Sequence, residues 1–275
     1  MPSAVLIFLL LIAALLGLVI GSFLNVVIFR VPAGIPLTRE SRCPHCDTAV
    51  RWWQNIPVAS WIALRGRCAK CGATISPRYP LVESLTAVAF AGIVWWLTEI
   101  RPEATVAATV LVTIAFLYLA AVSITLSLID LDTHRLPNSI VLPSYAVGAL
   151  LFTAACAVGA DWWSLGRAVA GAGALFAFYF VLRLVRPDGM GGGDVKLAGV
   201  LGLYLGWLGW PTLVVGATAA FLLGGVFGVA LLVLRRAGRG SAIPFGPWMI
   251  LGAWVGAAFS GPLARWYLGL LGGAS

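Results

Sequence analysis

The sequence predicts an all-α polytopic membrane protein with about eight transmembrane helices and one small extramembrane domain between the first two. Hydrophobic residues make up 61% of its 275 residues, charged residues make up 10%, and the mean hydropathy is +0.98. Soluble globular domains carry about 25% charged residues. Lipid is therefore the expected environment of most of the chain, and a polar segment at 31–79 is expected outside it.

Eight apolar stretches are candidates for crossing a hydrocarbon core of about 30 Å, which takes roughly 17 to 25 helical residues. They are residues 4–29, 80–98, 104–129, 139–158, 165–185, 194–208, 211–234 and 246–270, the sixth being short. The first stretch has no basic segment before it and no A-x-A site, so we expect it to stay in the membrane. The predicted domains are a first helix (1–30), a polar domain (31–79) and a seven-helix domain (80–275).

Basic residues collect in the loops of one side. With eight spans, the loops 30–79, 130–138, 183–196 and 235–245 share a side and hold 15 of the 18 lysines and arginines. Such loops stay in the cytoplasm, so both termini are expected outside. Because the basic residues form no stripe with stacking aromatics, we expect no nucleic-acid partner. Pairs such as Arg235 and Arg236 are expected to contact lipid headgroups.

Turn signals fall where predicted spans end, at Leu-Pro-Asn (136–138) and Gly-Trp-Pro (209–211). Small residues recur along the spans, as at 170–174 and 224–225, and favour close helix packing in lipid. No internal repeat is evident. The residues carry no indication of oligomeric state.

Four of the five cysteines lie in the polar segment as two C-x-x-C pairs, Cys43 with Cys46 and Cys68 with Cys71. Two such turns supply the four thiolates of a tetrahedral zinc site in a segment too small for a hydrophobic core. Two disulfides are the alternative, but disulfides seldom persist on a reducing cytoplasmic side. We therefore predict a structural Zn²⁺ site with no open coordination position.

Three of the ten acidic residues lie at the ends of apolar helices. Asp130 and Asp132 close the third predicted span, and Asp194 opens the sixth after a run of glycines. In an antiparallel bundle these two ends can meet at one depth. For each aspartate alone, a structural role is as good an explanation as a function, since Asp194 can occupy a favourable helix-end position and Asp130 can pair with His134 or Arg135. The glycines at 191–193 favour function, because they let backbone bend and approach closely.

Two aspartates at hydrogen-bonding distance share one proton, because both cannot ionise cheaply. The ionised partner can take a proton from water while the protonated partner polarises a peptide carbonyl. This arrangement predicts peptide hydrolysis without a covalent intermediate. Neither histidine lies near a nucleophile motif, so a serine or cysteine triad is not indicated.

Ordered motifs along nearly the whole chain resemble those of the type IV prepilin peptidases. They are GSFLNVVIFR (21–30), the paired C-x-x-C segment with NIPVASWIALRGRC (55–68) and ISPRYPLVE (75–83), DLDTHRLPN (130–138), GMGGGDVKL (189–197) and IPFGP (243–247). The resemblance implies an eight-span aspartyl protease of the GxGD kind in the bacterial inner membrane. Such enzymes remove the cytoplasmic leader of prepilins and pseudopilins after a glycine.

The resemblance also implies roles for individual residues. It assigns catalysis to Asp130 and Asp194 and a supporting place to Asp132, although the sequence alone does not decide between Asp130 and Asp132. Members with a cysteine loop are implied to N-methylate the new amino terminus with S-adenosylmethionine. No glycine-rich strand–helix signature in the sequence supports a donor site of the Rossmann type. Asn138 stands where many relatives have aspartate.

Three further residues are expected to support the site. Gly191 and Gly193 allow the chain to close around a substrate, or else serve tight helix packing. Lys196 either orients the site or reaches a lipid headgroup. Two alternatives stay open: a peptidase without methyl transfer, and a proton-coupled transporter or assembly scaffold in which the aspartates relay protons and the zinc loop docks a partner.

Overall fold

The computed structural model of the chain describes residues 3–234 and 244–272, with side chains given to Leu263 and without that of Asp188. Most of the predicted basic loop at 235–245 lies outside the described residues. The expected headgroup contact of Arg235 and Arg236 falls there, as does Ile243 at the start of the last motif.

Nine α-helices occur in the described part of the chain. They are α1 (Ser3–Arg30), α2 (Ala59–Ala63), α3 (Arg78–Trp95), α4 (Val106–Thr133), α5 (Asn138–Ala157), α6 (Trp162–Val185), α7 (Gly192–Leu208), α8 (Trp210–Val233) and α9 (Gly246–Gly272). A 3₁₀ turn at Trp52–Asn55 precedes α2, and a π-helical turn at Trp96–Ile100 extends α3. Among the described residues, strand structure is limited to two isolated β-bridges. The all-α prediction is confirmed.

The eight long helices match the eight predicted stretches to within a few residues at each end. Six of them are long and apolar enough to cross a membrane: α1, α3 with its π-helical turn, α4, α5, α6 and α8. Helix α7 has 17 residues, which is at the lower limit for crossing the hydrocarbon core. The shortness of the sixth stretch, expected from the sequence, is therefore a property of the folded chain.

Two helices extend beyond the predicted apolar stretches because polar residues cap their ends. Helix α4 continues past residue 129 to Thr133, where His134 adopts a left-handed φ of 54° and its N–H donates to the Asp130 carbonyl. Helix α6 begins at Trp162 instead of 165, because the Asp161 side chain accepts a hydrogen bond from the Trp163 N–H at 3.0 Å. Hydropathy alone does not report such caps.

The chain packs as two compact units, Met1–Thr125 and Leu126–Ser275. In the first unit α1 packs against α3 through small residues. A methyl group added at Gly17 would lie 2.6 Å from Ala87 Cα, and one added at Gly21 would lie 2.7 Å from Glu83 Cα. The two helices therefore meet backbone to backbone. The predicted divisions after residues 30 and 79 stay predictions.

In the second unit α6 packs against α7 and α8 packs against α9. Gly171 and Gly202 lie at the first of these contacts, since a methyl group added at Gly171 would lie 2.6 Å from the Gly202 carbonyl oxygen. The predicted turns are confirmed, with Gly209 between α7 and α8 at a φ of 132° that favours glycine. Gly173, by contrast, faces open space, so only part of the small-residue run serves packing.

These two glycines of one helix give a matched pair for testing the packing. Gly171→Ala is expected to lower the free energy of unfolding by about 1–3 kcal/mol, because the added methyl group meets backbone that cannot move aside. Gly173→Ala is expected to leave it unchanged or to raise it by up to about 1 kcal/mol, because alanine favours the helix and meets no neighbour. Thermal unfolding in detergent, followed by helical circular dichroism, measures the difference. Equal tolerance of both variants would contradict the α6–α7 contact.

Candidate active site and metal centre

Each C-x-x-C pair lies in a turn of the same structure. This short internal repeat was not predicted from the sequence. Residues 41–50 and 66–75 have the same backbone hydrogen bonds at an offset of 25 positions. The Cys43 N–H donates to the Thr48 carbonyl at 2.9 Å, and the Cys68 N–H donates to the Ala73 carbonyl at 2.8 Å. An isolated β-bridge closes each turn. The shared pattern R-C-x-x-C, followed by a residue with positive φ (Asp47 or Gly72), is the signal that identifies it.

The four cysteine sulfurs lie within 4.8 Å of one another. Cys43 Sγ and Cys71 Sγ are 3.8 Å apart, whereas a disulfide bond is about 2.05 Å long. Four sulfurs at a Zn–S distance of about 2.3 Å would lie about 3.8 Å apart in a tetrahedron. All four cysteines are free, so the alternative of two disulfides is wrong for this structure. The arrangement fits a metal ion held by four thiolates.

Local hydrogen bonds favour the thiolate form of two of these ligands. Cys46 Sγ lies 3.4 Å from Thr48 Oγ1, and hydrogen bonding to Thr48 lowers the pKa of the Cys46 thiol to about 6. The backbone N–H groups of Cys71 and Lys70 lower the pKa of the Cys68 thiol. Because thiolates and not thiols bind metal, these hydrogen bonds prepare Cys46 and Cys68 for a metal ion.

Buried polar groups attach this cysteine domain to α1 and α3. The Arg30 guanidinium, buried at the end of α1, donates to the Leu37 carbonyl at 2.9 Å and to Ser41 Oγ at 3.2 Å. The Asn25 side chain donates to the Tyr79 carbonyl at 3.2 Å. Buried groups with several partners hold one conformation, so these contacts fix the chain on both sides of the domain.

The carboxylate of Asp130 lies in the last turn of α4 and is buried, with 4% of the residue exposed. Its Oδ2 accepts a hydrogen bond from the Gly246 N–H, the first residue of α9, at 3.0 Å. A methyl group added at Gly246 would lie 2.8 Å from that oxygen. Glycine at 246 therefore lets the backbone reach the carboxylate, a role that the sequence analysis did not assign to the IPFGP motif.

Asp194 lies in the first turn of α7 and is half-buried. Its Oδ2 accepts a hydrogen bond from the Gly191 N–H at 3.0 Å. The carboxylate thus caps its own helix, as the helix-end explanation predicted. A capping role and a reactive one are compatible, because this bond engages one carboxylate oxygen and leaves the other.

The structure brings Asp130 and Asp194 to one site. The two carboxylates are close enough to interact electrostatically. Leu136 contacts the backbone next to each aspartate. A methyl group added at Gly193, beside Asp194, would lie 2.8 Å from Leu136 Cβ, and one added at Gly246, which binds Asp130, would lie 3.3 Å from Leu136 Cδ2. The short connection from α4 to α5 therefore forms one wall of the site.

The other candidate residues surround this pair. Asp132 is exposed at the end of α4, unlike the buried Asp130. The Lys196 ammonium donates to Asn138 Oδ1 at 2.9 Å, and Tyr145 Oη donates to the Lys196 carbonyl at 2.6 Å. These two bonds join α5 to the first turns of α7, close to Asp194.

The contact of Gly193 with Leu136 provides a test of this geometry. Gly193→Ala is expected to reduce catalytic turnover at least about tenfold, because the methyl group displaces either Leu136 or the first turn of α7, and small misplacements of reacting groups are costly. Gly189→Ala is the control, since its methyl group would lie 3.5 Å from Arg186 Cβ, an ordinary contact. Initial rates of the two variants on the same substrate measure the difference. Similar rates would contradict the close contact between Gly193 and Leu136.

Two family models match the chain, the bacterial peptidase A24 N-terminal domain over residues 15–97 and the type IV leader peptidase family over residues 117–229. Proteins named prepilin leader peptidase/N-methyltransferase are similar along nearly the whole chain. One from Stutzerimonas stutzeri is 36% identical over 93% of this chain and 92% of its own. The chain belongs to the prepilin leader peptidase/N-methyltransferase family. The resemblance predicted from the motifs is confirmed.

Other members of the prepilin leader peptidase/N-methyltransferase family match equally well. The Aeromonas hydrophila protein of that name is 37% identical, over 92% of each chain. The Pseudomonas aeruginosa protein is 35% identical, over 94% of this chain and 93% of its own. No solved structure matches the chain. With six membrane-crossing candidates among its described helices, the protein is a multi-pass inner-membrane member of this family.

Proposed function

We propose that this protein cleaves the leader peptide of prepilins or pseudopilins at the cytoplasmic face of the inner membrane and N-methylates the new amino terminus. The observation that carries the proposal is the pair formed by the buried Asp130 and the half-buried Asp194, at the ends of two apolar helices in a chain of this family. Ionisable groups in such positions are costly and mark reactive sites. The basic loops support the cytoplasmic orientation.

In the proposed reaction Asp130 and Asp194 hold one proton between them and activate one water molecule. The ionised carboxylate takes a proton from water as the oxygen attacks the scissile carbonyl carbon. The protonated carboxyl group donates its proton to the carbonyl oxygen. Collapse of the tetrahedral intermediate breaks the C–N bond: the carboxyl group that took the proton from water gives it to the leaving amine, and the other carboxylate takes back the proton of one hydroxyl group. No acyl-enzyme forms.

Backbone hydrogen bonds orient the two carboxylates for this reaction. The Gly246 N–H holds Asp130 and the Gly191 N–H holds Asp194, each through one oxygen. The second oxygen of each is proposed to contact the reacting water molecule. Asp130 is preferred to Asp132 as the partner of Asp194, because Asp132 is exposed at the helix end.

Binding of the substrate requires an unwound backbone, because the carbonyl groups of a helix are already hydrogen-bonded. We place the leader junction between α4 and α7, beside Gly191 and Gly193, where the glycine backbone lies close to the side chains of Asp194 and Leu136. Lys196 takes the orienting role, since its bond to Asn138 fixes the first turns of α7 against α5. This assignment replaces the headgroup contact.

Cys43, Cys46, Cys68 and Cys71 are proposed to hold Zn²⁺, the metal that four thiolates in a tetrahedron favour. A bound zinc ion would supply folding energy to the loop and no reactive ligand position. Methyl transfer with S-adenosylmethionine as donor is proposed on family membership. Since the described residues contain only isolated β-bridges, that part of the chain has no strand–turn–helix donor site, and no residue is assigned to the donor.

Incubation of the purified full-length protein with a prepilin, with and without S-adenosylmethionine, tests the proposal. Mass analysis of the product is expected to show loss of the leader in both reactions, and one added methyl group on the new amino terminus only with the donor. A cleaved but never methylated product would leave a peptidase alone. An uncleaved prepilin would refute the enzyme and favour the transporter or scaffold.

A further inference from the structure

An exposed apolar surface lies on the cysteine domain, outside the metal site and the aspartate pair. It comprises Trp52 and Trp53 of the 3₁₀ turn with Ile56 and Ile62 around α2, and we name these four residues the loop face. Their exposed fractions are 77%, 45%, 46% and 64%. The Ser60 hydroxyl donates to the Trp53 carbonyl at 2.8 Å, which holds α2 against the turn. The Trp52 and Trp53 rings lie 5.6 Å apart between centroids, and large apolar side chains exposed in one short segment mark an interaction surface.

Positive charge accompanies the loop face. The Arg51 guanidinium lies 5.0 Å from the centroid of the Trp53 ring, and Arg65 is exposed just beyond α2. Residues 31–77 contain six lysines and arginines against two acidic residues. The two acidic residues, Glu40 and Asp47, both pair with Arg42, so the charges near the loop face are not neutralised by them. A partner of negative charge is therefore favoured.

Hydrogen bonds hold the loop face alongside α1 and α3 and not beyond the ends of these helices. The Val58 N–H, between the 3₁₀ turn and α2, donates to Glu83 Oε2 of α3 at 2.7 Å. Ser22 of α1 forms a hydrogen bond to the same carboxylate. Ser22 lies eight residues before Arg30, at which α1 ends, and eight residues of helix measure about 12 Å. The segment therefore turns back along α1.

A strained turn fixes this position. Val58 has a φ of 59° and a ψ of −50°, and the Ala59 N–H donates to the Pro57 carbonyl across it at 2.6 Å. This is the rare γ-turn, which a β-branched residue adopts only when its surroundings hold it there. The bond to Glu83 supplies that hold. The loop face consequently cannot swing away from α1 and α3 without losing the hydrogen bond between Val58 and Glu83.

The length of α1 gives the depth at which the loop face lies. Residues Ser3–Ser22 of α1 measure about 30 Å, the thickness of the hydrocarbon core. When α1 begins at one boundary of the core, Ser22, Glu83 and Val58 lie near the other, where hydrocarbon meets headgroups. Tryptophan concentrates at that boundary in membrane proteins, and arginine reaches the headgroups from it.

We propose that the loop face inserts into the headgroup layer of the bilayer that α1 and α3 cross, with Arg51 and Arg65 binding acidic phospholipids. Trp52, Trp53 and the two isoleucines supply apolar contact, and the arginines supply attraction to negative headgroups. The cysteine domain is then a membrane-surface domain, held against lipid along one side. This inference is independent of the peptidase reaction.

Fluorine NMR of the full-length protein carrying 5-fluorotryptophan tests the insertion. The protein is placed in nanodiscs of equal parts phosphatidylcholine and phosphatidylglycerol, and Trp52→Phe and Trp53→Phe assign the two signals. A nitroxide on the lipid chain near the headgroup is expected to broaden both signals at least twofold more than a water-soluble gadolinium chelate does. Stronger broadening by the chelate would overturn the proposal, and protection from the chelate only by added prepilin would assign the loop face to a protein partner.

Charge variants test the lipid preference. Broadening by the lipid nitroxide is expected to fall in nanodiscs of phosphatidylcholine alone, and the double variant Arg51→Gln/Arg65→Gln is expected to remove that dependence on composition. Arg42→Gln is the matched control, because Arg42 already pairs with Glu40 and Asp47. Equal broadening of the unaltered protein in both lipids would overturn the role of acidic phospholipids.

Discussion

Cleavage of a prepilin is expected to slow by about 100- to 10,000-fold when either Asp130 or Asp194 is replaced by asparagine. Asparagine keeps the shape of the side chain and can still accept the backbone hydrogen bond from Gly246 or Gly191, so the helices are expected to insert and pack. The variant loses the ability to exchange a proton with water. Initial rates from mass analysis of the products measure the effect.

Asp132→Asn is the matched control for that experiment. It makes the same chemical change two residues away, on an exposed side chain, and is expected to change the rate less than about threefold. Full processing of the prepilin by the Asp130 or the Asp194 variant would refute the pair. A larger loss from Asp132→Asn than from Asp130→Asn would move the reactive role to Asp132.

Loss of the metal is expected to unfold the cysteine domain. Cys43→Ser or Cys68→Ser removes one of four thiolates, and structural zinc contributes on the order of 10 kcal/mol to the folding of small domains. Bound zinc is expected to fall from one ion per chain to well below one, and residues 31–79 are expected to become sensitive to protease. The rate of prepilin cleavage is expected to fall by a smaller factor than the zinc content and the protease resistance, because the aspartates lie elsewhere in the chain.

Cys156→Ala serves as the control for the cysteine variants. Cys156 is buried in α5 and is not one of the four clustered cysteines, so the variant is expected to retain one zinc ion per chain. Elemental analysis of the purified proteins and limited proteolysis give both measures. A folded, protease-resistant loop in a zinc-free Cys43→Ser protein would show that the four thiolates do not stabilise the domain.

Much of this fold is predictable from the sequence because a helix that crosses lipid needs a long, nearly uncharged apolar stretch. Apolar stretches of about 20 residues have one stable solution in a bilayer, so the long helices follow from hydropathy. The spacing of Cys43, Cys46, Cys68 and Cys71 likewise predicts a common metal site, because a C-x-x-C turn presents both sulfurs to one point.

The remaining features depend on contacts between residues far apart in the chain. The bond from the Gly246 N–H to Asp130 joins positions separated by 116 residues, and no local pattern reports it. The strained turn at Val58 exists because Glu83 of α3 accepts its N–H. Asp130 is buried and Asp132 is exposed, although the sequence alone gives no reason to distinguish these two aspartates at the end of one helix.

A structure of the full-length protein with a prepilin peptide, in which a hydroxyethylene group replaces the scissile amide, tests the central claim most directly. The hydroxyl group imitates the oxygen of the tetrahedral intermediate. It is expected to lie about 2.6–3.2 Å from a carboxylate oxygen of both Asp130 and Asp194. A hydroxyl bound by only one of them, or a peptide seated away from the ends of α4 and α7, would contradict the shared site.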